Sequence, residues 1–393
     1  MRLFTPKTLA LAAMLAVAAP LSYAQANASS VQLYGIVDVA YRHVSNAQNE
    51  ASSKMIGGGM SNSRWGINVT EDLGGGLKAL ANLEARFNAD DGTQAAANFF
   101  QQSWVGLQSN SFGRITMGRQ YNVLFDVVTT TYASFPYSPY MEAYKPEIGM
   151  AMSARASNMI KYTAEMGAVR GSLQYSFDEG NTVEKLGSGV NAATGGIKTF
   201  GGYLRYADKG LAVGGGYLRT TLPGDTKVDA WTLGGSYRMQ GWYFNAGYAL
   251  NKRKGTFTPG VNSIVDSGLL AAYWSGASNG GFLPGASALA NPMNVLDHAN
   301  KRQMYTVGAG YQITPQLNLG AHYYHAKQTG SASGAFNGKA NFLVAVADYA
   351  FSKRTDAYFG VDHTRVSGGN GMALDVNGAR SRTGITAGLR HRF

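Results

Sequence analysis

From Val31 onward the chain alternates between apolar and polar positions. Val31, Leu33, Gly35, Val37, Val39 and Tyr41 share one parity, and Gln32, Tyr34, Ile36, Asp38, Ala40 and Arg42 share the other. Side chains of a strand point to opposite faces in turn, so one such segment meets oil on one side and water on the other. The same period returns downstream. Leu77, Ala79, Ala81, Leu83, Ala85 and Phe87 alternate with Lys78, Leu80, Asn82, Glu84 and Arg86. Trp65, Ile67 and Val69 alternate with Arg64, Gly66, Asn68 and Thr70, and Ile385, Ala387, Leu389, His391 and Phe393 with Gly384, Thr386, Gly388, Arg390 and Arg392. Sixteen strand cores follow: 31–45, 62–73, 76–88, 98–109, 112–120, 157–166, 168–177, 198–208, 210–221, 226–239, 241–252, 301–313, 316–328, 339–351, 354–367 and 381–393. After the N-terminal segment no stretch has a convincing helical period, and no apolar run is long enough to span a bilayer as a helix.

The connections between these cores alternate in length. Brief turns stand at Gly74-Gly75, Asn110-Ser111, Gly167, Lys209-Gly210, Gln240-Gly241, Thr314-Pro315 and Ser352–Thr355. Long connections stand at 46–61, 89–97, 121–156, 178–197, 253–300, 330–338 and 368–380; one near 222–225 belongs to the long set by position but is short. Hairpins with brief turns at one end and large loops at the other are the layout of a transmembrane barrel. The expected fold is therefore all-β: a sixteen-stranded antiparallel barrel with short periplasmic turns and long external loops. Lipid offers no hydrogen bonds, so the sheet must close on itself, and the strand near Val31 should pair with the one near Phe393. Sixteen strands leave an aqueous lumen, where eight would be filled by side chains.

Composition agrees with this pattern. Hydrophobic residues make up 45% of the chain and charged ones 15%; there are 51 glycines, 23 tyrosines and no cysteine, so disulfides and thiolate metal sites are excluded. The first residues read as a secretory signal: Arg2 and Lys7 precede an apolar run from Leu9 to Leu21, and Ser22-Tyr23-Ala24 supplies small residues for cleavage. The expected division is 1–24 signal peptide and 25–393 barrel, with a net charge of +9 after cleavage. Enzymatic readings fare poorly. The histidines are His43, His298, His322, His325, His363 and His391, and their spacing matches no zinc motif. His322 and His325 fall on opposite faces of one strand and cannot act jointly. Nucleophilic catalysis needs a nucleophile oriented by a base, and these histidines offer no such arrangement, so no enzyme activity and no cofactor is expected. The basic residues are spread over the strands without a cluster, which with export argues against nucleic acid.

Several strings resemble the general porins of Gram-negative bacteria, particularly the β-proteobacterial kind. They are Ser30-Val31-Gln32-Leu33-Tyr34-Gly35-Ile36-Val37-Asp38, Ser63-Arg64-Trp65-Gly66, Glu71-Asp72-Leu73-Gly74-Gly75-Gly76-Leu77-Lys78-Ala79, Val105-Gly106-Leu107, Phe112-Gly113, Gly118-Arg119-Gln120 and Gly388-Leu389-Arg390-His391-Arg392-Phe393. The resemblance implies passive diffusion of small hydrophilic solutes and ions through a homotrimer, each barrel with its own pore. It also implies a third long loop folded inward, and a terminal aromatic, Phe393, read by the outer-membrane assembly machinery. The expected location is the outer membrane. Further expected partners are its lipid and lipopolysaccharide and the solutes in transit. Residues 253–300 form an unusually long connection, rich in Gly, Ala and Ser, and are read as a surface flap.

The inward loop would be 121–156, carrying Asp126, Glu142 and Glu147 against Lys145 and Arg155; Lys145-Pro146-Glu147 resembles the family's loop tip. Alternation places Arg42, Lys78, Arg86 and Lys161 on the water side of the facing wall, with Arg119 and Arg205 as additions. Charges at a narrowing bias which ions enter, and low-dielectric walls focus the field. The excess of bases predicts mild anion preference. A substrate-specific channel on the same fold is the alternative, which a saturable block by one solute would reveal.

Overall fold

The computed structural model describes residues 29–47, 50–95, 98–132, 154–177, 198–221, 227–254, 300–335, 337–370, 372 and 378–393. Among these residues, seventeen strands form a single antiparallel sheet that closes on itself. They are β1 (Ser30–Ala47), β2 (Glu50–Gly57), β3 (Arg64–Gly74), β4 (Leu77–Arg86), β5 (Phe100–Ser109), β6 (Gly113–Tyr121), β7 (Arg155–Met166), β8 (Val169–Ser176) and β9 (Lys198–Asp208). There follow β10 (Leu211–Thr221), β11 (Lys227–Met239), β12 (Trp242–Lys254), β13 (Lys301–Gln312), β14 (Leu317–Thr329), β15 (Gly338–Ala350), β16 (Thr355–Gly368) and β17 (Ser381–Arg392). Among the described residues one helix, α1 (Val123–Thr131), lies between β6 and β7.

The circumference holds sixteen positions, because β2 and β3 share one. Strand β1 pairs with β3 from Ser30↔Thr70 to Ile36↔Arg64, then with β2 from Val39↔Gly57 to Ala47↔Glu50. Residues 50–57, expected to be part of a long connection, thus continue the wall. The polar string Glu50-Ala51-Ser52-Ser53 carries no apolar alternation to announce it. Between the two halves the chain leaves the ladder and wraps the buried Asp38. Its carboxylate accepts the N–H groups of Gly59, Met60 and Ser61 at 3.1, 3.0 and 2.8 Å, together with the Tyr358 hydroxyl.

Closure falls where the alternation required it. Strand β1 pairs with β17 from Ile36↔Arg392 to Val44↔Gly384, and Gly35 and Phe393 exchange both backbone hydrogen bonds at 3.1 Å. The Phe393 ring lies over Gly35, where a Cβ would stand 2.2 Å from it. Outward positions carry Val31, Leu33, Leu173, Leu204, Leu233, Val307, Leu343 and Leu389, all exposed, while inward neighbours such as Asp38, Arg42, Lys161 and Thr386 are buried. Ala85 departs from the expected apolar face and is buried. The β4–β5 register shifts between Glu84 and Ala85, which breaks the two-residue period there. His322 lies inside against Asn245, and His325 bonds Asn341 on the other face.

Helix α1 falls within the long 121–156 connection, where no helical period announces it. Its β-branched sequence, Val-Leu-Phe-Asp-Val-Val-Thr-Thr-Thr, has low helix propensity. Capping and packing hold it instead. The Asn122 side chain accepts the Phe125 N–H at 2.8 Å, and Asp126 sits in the first turn, where the helix dipole favours negative charge. Val123, Leu124, Val127 and Val128 are fully buried against the inner face of β9, β10 and β11. Each such side chain contributes roughly 1.5–3 kcal/mol relative to exposure. The wall makes room by glycine: a Cβ on Gly234 or Gly247 would fall 2.1 or 2.3 Å from the Tyr132 ring.

Candidate pore constriction

Helix α1 is fastened to the inner wall at both ends. At its start, Lys161 of β7 donates to Asp126 at 2.7 Å and to the Tyr121 carbonyl at 2.8 Å, and the Val123 N–H donates to Gln174 at 2.7 Å. At its end three successive carbonyls, which an isolated helix leaves unpaired, each find a wall donor. Arg205 of β9 takes Thr130 at 3.0 Å, Ser236 of β11 takes Thr131, and Tyr243 of β12 takes Tyr132 at 3.2 Å. The start of the 121–156 segment therefore lies inside the barrel.

Beside the helix, one carboxylate faces three guanidinium groups. Glu84 of β4 lies 3.5 Å from Arg155, 3.9 Å from Arg86 and 3.9 Å from Arg64. Tyr121 gathers two of them: its hydroxyl accepts from Arg86 at 3.2 Å and from Arg155, and the Arg155 guanidinium stands 4.1 Å over its ring. Phe125 stacks on the same ring at 3.7 Å. Tyr34 closes the group, accepting from Asn82 at 3.0 Å and donating to Glu84 at 3.3 Å. Among the described residues, three guanidinium groups thus gather around this one carboxylate.

Other inner-wall ion pairs are balanced. Arg42 grips Asp362 in a two-pronged contact at 2.7 and 3.0 Å and also reaches Thr386. Lys161 and Asp126 neutralise one another. Arg390 and Arg392 face Asp348 and Asp356.

The expected site residues therefore divide. Arg86 and Arg155 come together, and Lys161, Asp126 and Arg205 meet at the helix. Arg42 lies on the β1–β17 side, with its own acid. Arg119 stands at a break in the β6–β7 register, next to Gly118 at φ +127°, and donates to Ser157 at 2.9 Å. Lys78 is opposite Asp72 beside the Gly74–Gly75 turn. It lies eight residues, or roughly 26 Å, along β4 from Arg86. Glu142, Lys145 and Glu147 lie outside the described residues. Arg64, Glu84 and Tyr121 were missed, although Arg64 and Glu84 occupy the water parity of strands the alternation had identified. What sequence could not show is that β3, β4 and β7 bring them to one height.

Comparison with known proteins agrees with this architecture. Residues 10–369 match the Gram-negative porin family. The chain is a Gram-negative porin. It is 30% identical over 375 residues to an outer membrane porin protein of Bordetella pertussis, covering 82% of the porin and 94% of that relative. Among solved structures, an anion-selective porin from Comamonas acidovorans superposes with a TM-score of 0.69 at 23% identity, covering 93% of the porin and 100% of that chain. The trimer form of OmpT from Vibrio cholerae gives 0.62 at 14% identity, covering 93% and 100%. The porin is thus an outer-membrane protein whose barrel forms a water-filled channel for passive diffusion of small hydrophilic solutes and ions. Family and fold are those of channels, not of enzymes.

Proposed function

We propose that the porin prefers anions and that Arg64, Arg86 and Arg155 set this preference. The carrying observation is the gathering of three guanidinium groups around Glu84 among the described residues, beside helix α1 on the inner wall. The name of the Comamonas protein, anion-selective, supports the same reading. Arg42, Lys161 and Arg205 act mainly by holding neighbouring elements, since each is engaged with an acid or a helix carbonyl. Lys78 acts on ions at the mouth with short turns. Arg119 adds to the positive field near β7. Glu142, Lys145 and Glu147 are assigned to the same narrowing on their sequence position alone. Reversal potentials in a KCl gradient across a planar bilayer test the proposal: an anion-selective potential is expected, and a cation-selective one would overturn it.

The remaining assignments follow the same reading. Three barrels assemble together, as the trimer form of OmpT supports, and channel closure should come in three steps. Short turns face the periplasm and long connections the exterior. Cleavage after Ala24 makes Gln25 the first residue of the exported protein, which N-terminal sequencing reads directly. The exposed Phe393 ring serves recognition by the assembly machinery. The channel works by charge and size alone, with no covalent chemistry and no cofactor.

A further inference from the structure

Two polar rows cross the inner wall on the short-turn side of helix α1. The first runs Arg114, Thr163, Ser172, Tyr203 over β6, β7, β8 and β9, each residue the register partner of the next. The second runs Glu165, Arg170, Arg205 over β7, β8 and β9, one inward position closer to the short turns. Their neighbours of opposite parity, Ile115, Tyr162, Leu173 and Leu204, are exposed on the outer face, so both rows point into the lumen.

Three guanidinium groups meet there. Arg170 and Arg205 stand directly opposite one another, an arrangement in which like charges repel. Tyr203 lies within electrostatic reach of Arg170 and Arg114, and Arg205 within reach of Arg170 and Tyr203. Two acids face the group. Glu165 pairs with Arg170 and is also within reach of Arg205. Asp126 reaches Tyr203 from helix α1 but is held by Lys161 at 2.7 Å. Much of the donor capacity is left over. Arg114 makes no hydrogen bond or ion pair among the described residues. Arg205 bonds through Nε to the Thr130 carbonyl at 3.0 Å, and its two terminal nitrogens have no partner among the described residues. The buried Nε of Arg170 has no hydrogen-bond partner there either. The Thr163 and Ser172 hydroxyls satisfy one another at 3.0 Å, so the arginines are the donors left for a solute. The rows lie roughly 26–33 Å along β7 from Arg155, so this group is separate from the one around Glu84.

We propose that Arg114, Arg170 and Arg205 form a station for a phosphoryl group, taking inorganic phosphate or the phosphate of a small phosphorylated solute in transit. The donor geometry sets the ligand. The two oxygens of a carboxylate lie in one plane and are matched by a single arginine fork. Three forks arriving from three strands suit an ion with oxygens in several directions. A phosphate monoester brings three acceptor oxygens and about 1.5 to 2 negative charges at pH 7. The station retains one class of solute, and it stands apart from the assignment of ion selectivity to Arg64, Arg86 and Arg155.

Calorimetric titration of the full-length porin in detergent at 0.1 M KCl tests it, with inorganic phosphate, glycerol 3-phosphate and succinate as separate titrants. Both phosphates should bind wild type, and the tighter of the two names the source; succinate should bind about tenfold more weakly or less. Each guanidinium bonded to the ion should contribute about tenfold, the lower end for hydrogen bonds to charged groups. The paired substitutions Arg114→Gln and Arg170→Gln should therefore weaken phosphate binding on the order of 100-fold. Glu165→Gln removes the competing carboxylate and should tighten binding roughly two- to fivefold, the range of an exposed ion pair. Absence of phosphate binding by wild type would overturn the proposal, as would equal binding by the arginine variant or succinate bound as tightly as phosphate. Binding lost instead in Arg86→Gln with Arg155→Gln would move the site to the Glu84 cluster and overturn it too. If the arginine variant fails to fold, Glu165→Gln decides: tighter binding supports the station, and unchanged or weaker binding sinks it. Reversal potentials in KCl without phosphate read the selectivity assignment separately, so the two can fail independently.

Discussion

Changing the charge balance around Glu84 should change ion selectivity by a calculable amount. An ion passing about 5 Å from the cluster gains or loses about 0.8 kcal/mol per unit charge at the dielectric constant of water, so the guanidinium groups and Glu84, counted among the described residues, together give about 1.7 kcal/mol. Screening at 0.1 M salt, with a Debye length of about 10 Å, leaves roughly 1 kcal/mol. The cluster attracts an anion and repels a cation by that amount, so the local preference approaches ~2 kcal/mol, or about 30-fold. At 1 M salt the Debye length falls to about 3 Å and the preference to about threefold. The paired substitutions Arg86→Gln and Arg155→Gln remove two of the three guanidinium groups, so the chloride-to-potassium permeability ratio should fall toward unity. Glu84→Gln removes the carboxylate among them and should increase the ratio. Reversal potentials at 0.1 M and 1 M KCl read both changes. A ratio unmoved by the double substitution, or lowered by Glu84→Gln, would refute the assignment; so would a wild-type ratio that ignores salt.

Three further outcomes follow from the geometry. Gly234→Val places a side chain 2.1 Å from the Tyr132 ring and should lift the end of helix α1 off the wall; single-channel conductance should then rise and grow noisier, and an unchanged trace would count against the packing. Asp126→Asn leaves the Lys161 ammonium without its acid at 2.7 Å, so anion preference should increase, measured by reversal potential. Gly35→Leu drives a side chain into the Phe393 ring at the seam, and the fraction of protein migrating as folded barrel on unheated detergent gels should fall.

Much of the fold was legible because the bilayer imposes a strict two-residue code. Val31 to Tyr41 and Ile385 to Phe393 spell it plainly, and the closing pair follows from the need to bond every edge. What escaped was local structure outside that code. Residues 50–57 stand on the wall without an apolar face, and Val123–Thr131 is helical although its composition suits a strand. The site was legible only in part. Arg86, Arg155, Lys161, Asp126 and Arg205 carry recognisable charge, and alternation gives the facing of the strand residues. Height along the barrel is different. It depends on the stagger between strands and on bulges such as Glu84/Ala85 and Gly118/Gln120. Those shifts gather Arg64, Arg86 and Arg155 around Glu84 while leaving Lys78 near the opposite mouth, and no single strand's sequence records them.

The three carbonyls at the end of helix α1 have a mechanical consequence. Thr130, Thr131 and Tyr132 are tied to Arg205, Ser236 and Tyr243, on β9, β11 and β12. One short segment thus spans a quarter-arc of the cylinder like a strut glued inside a pipe. Shearing or ovalising that arc must stretch several ties together, so the bore and the stiffness of its wall change as one quantity.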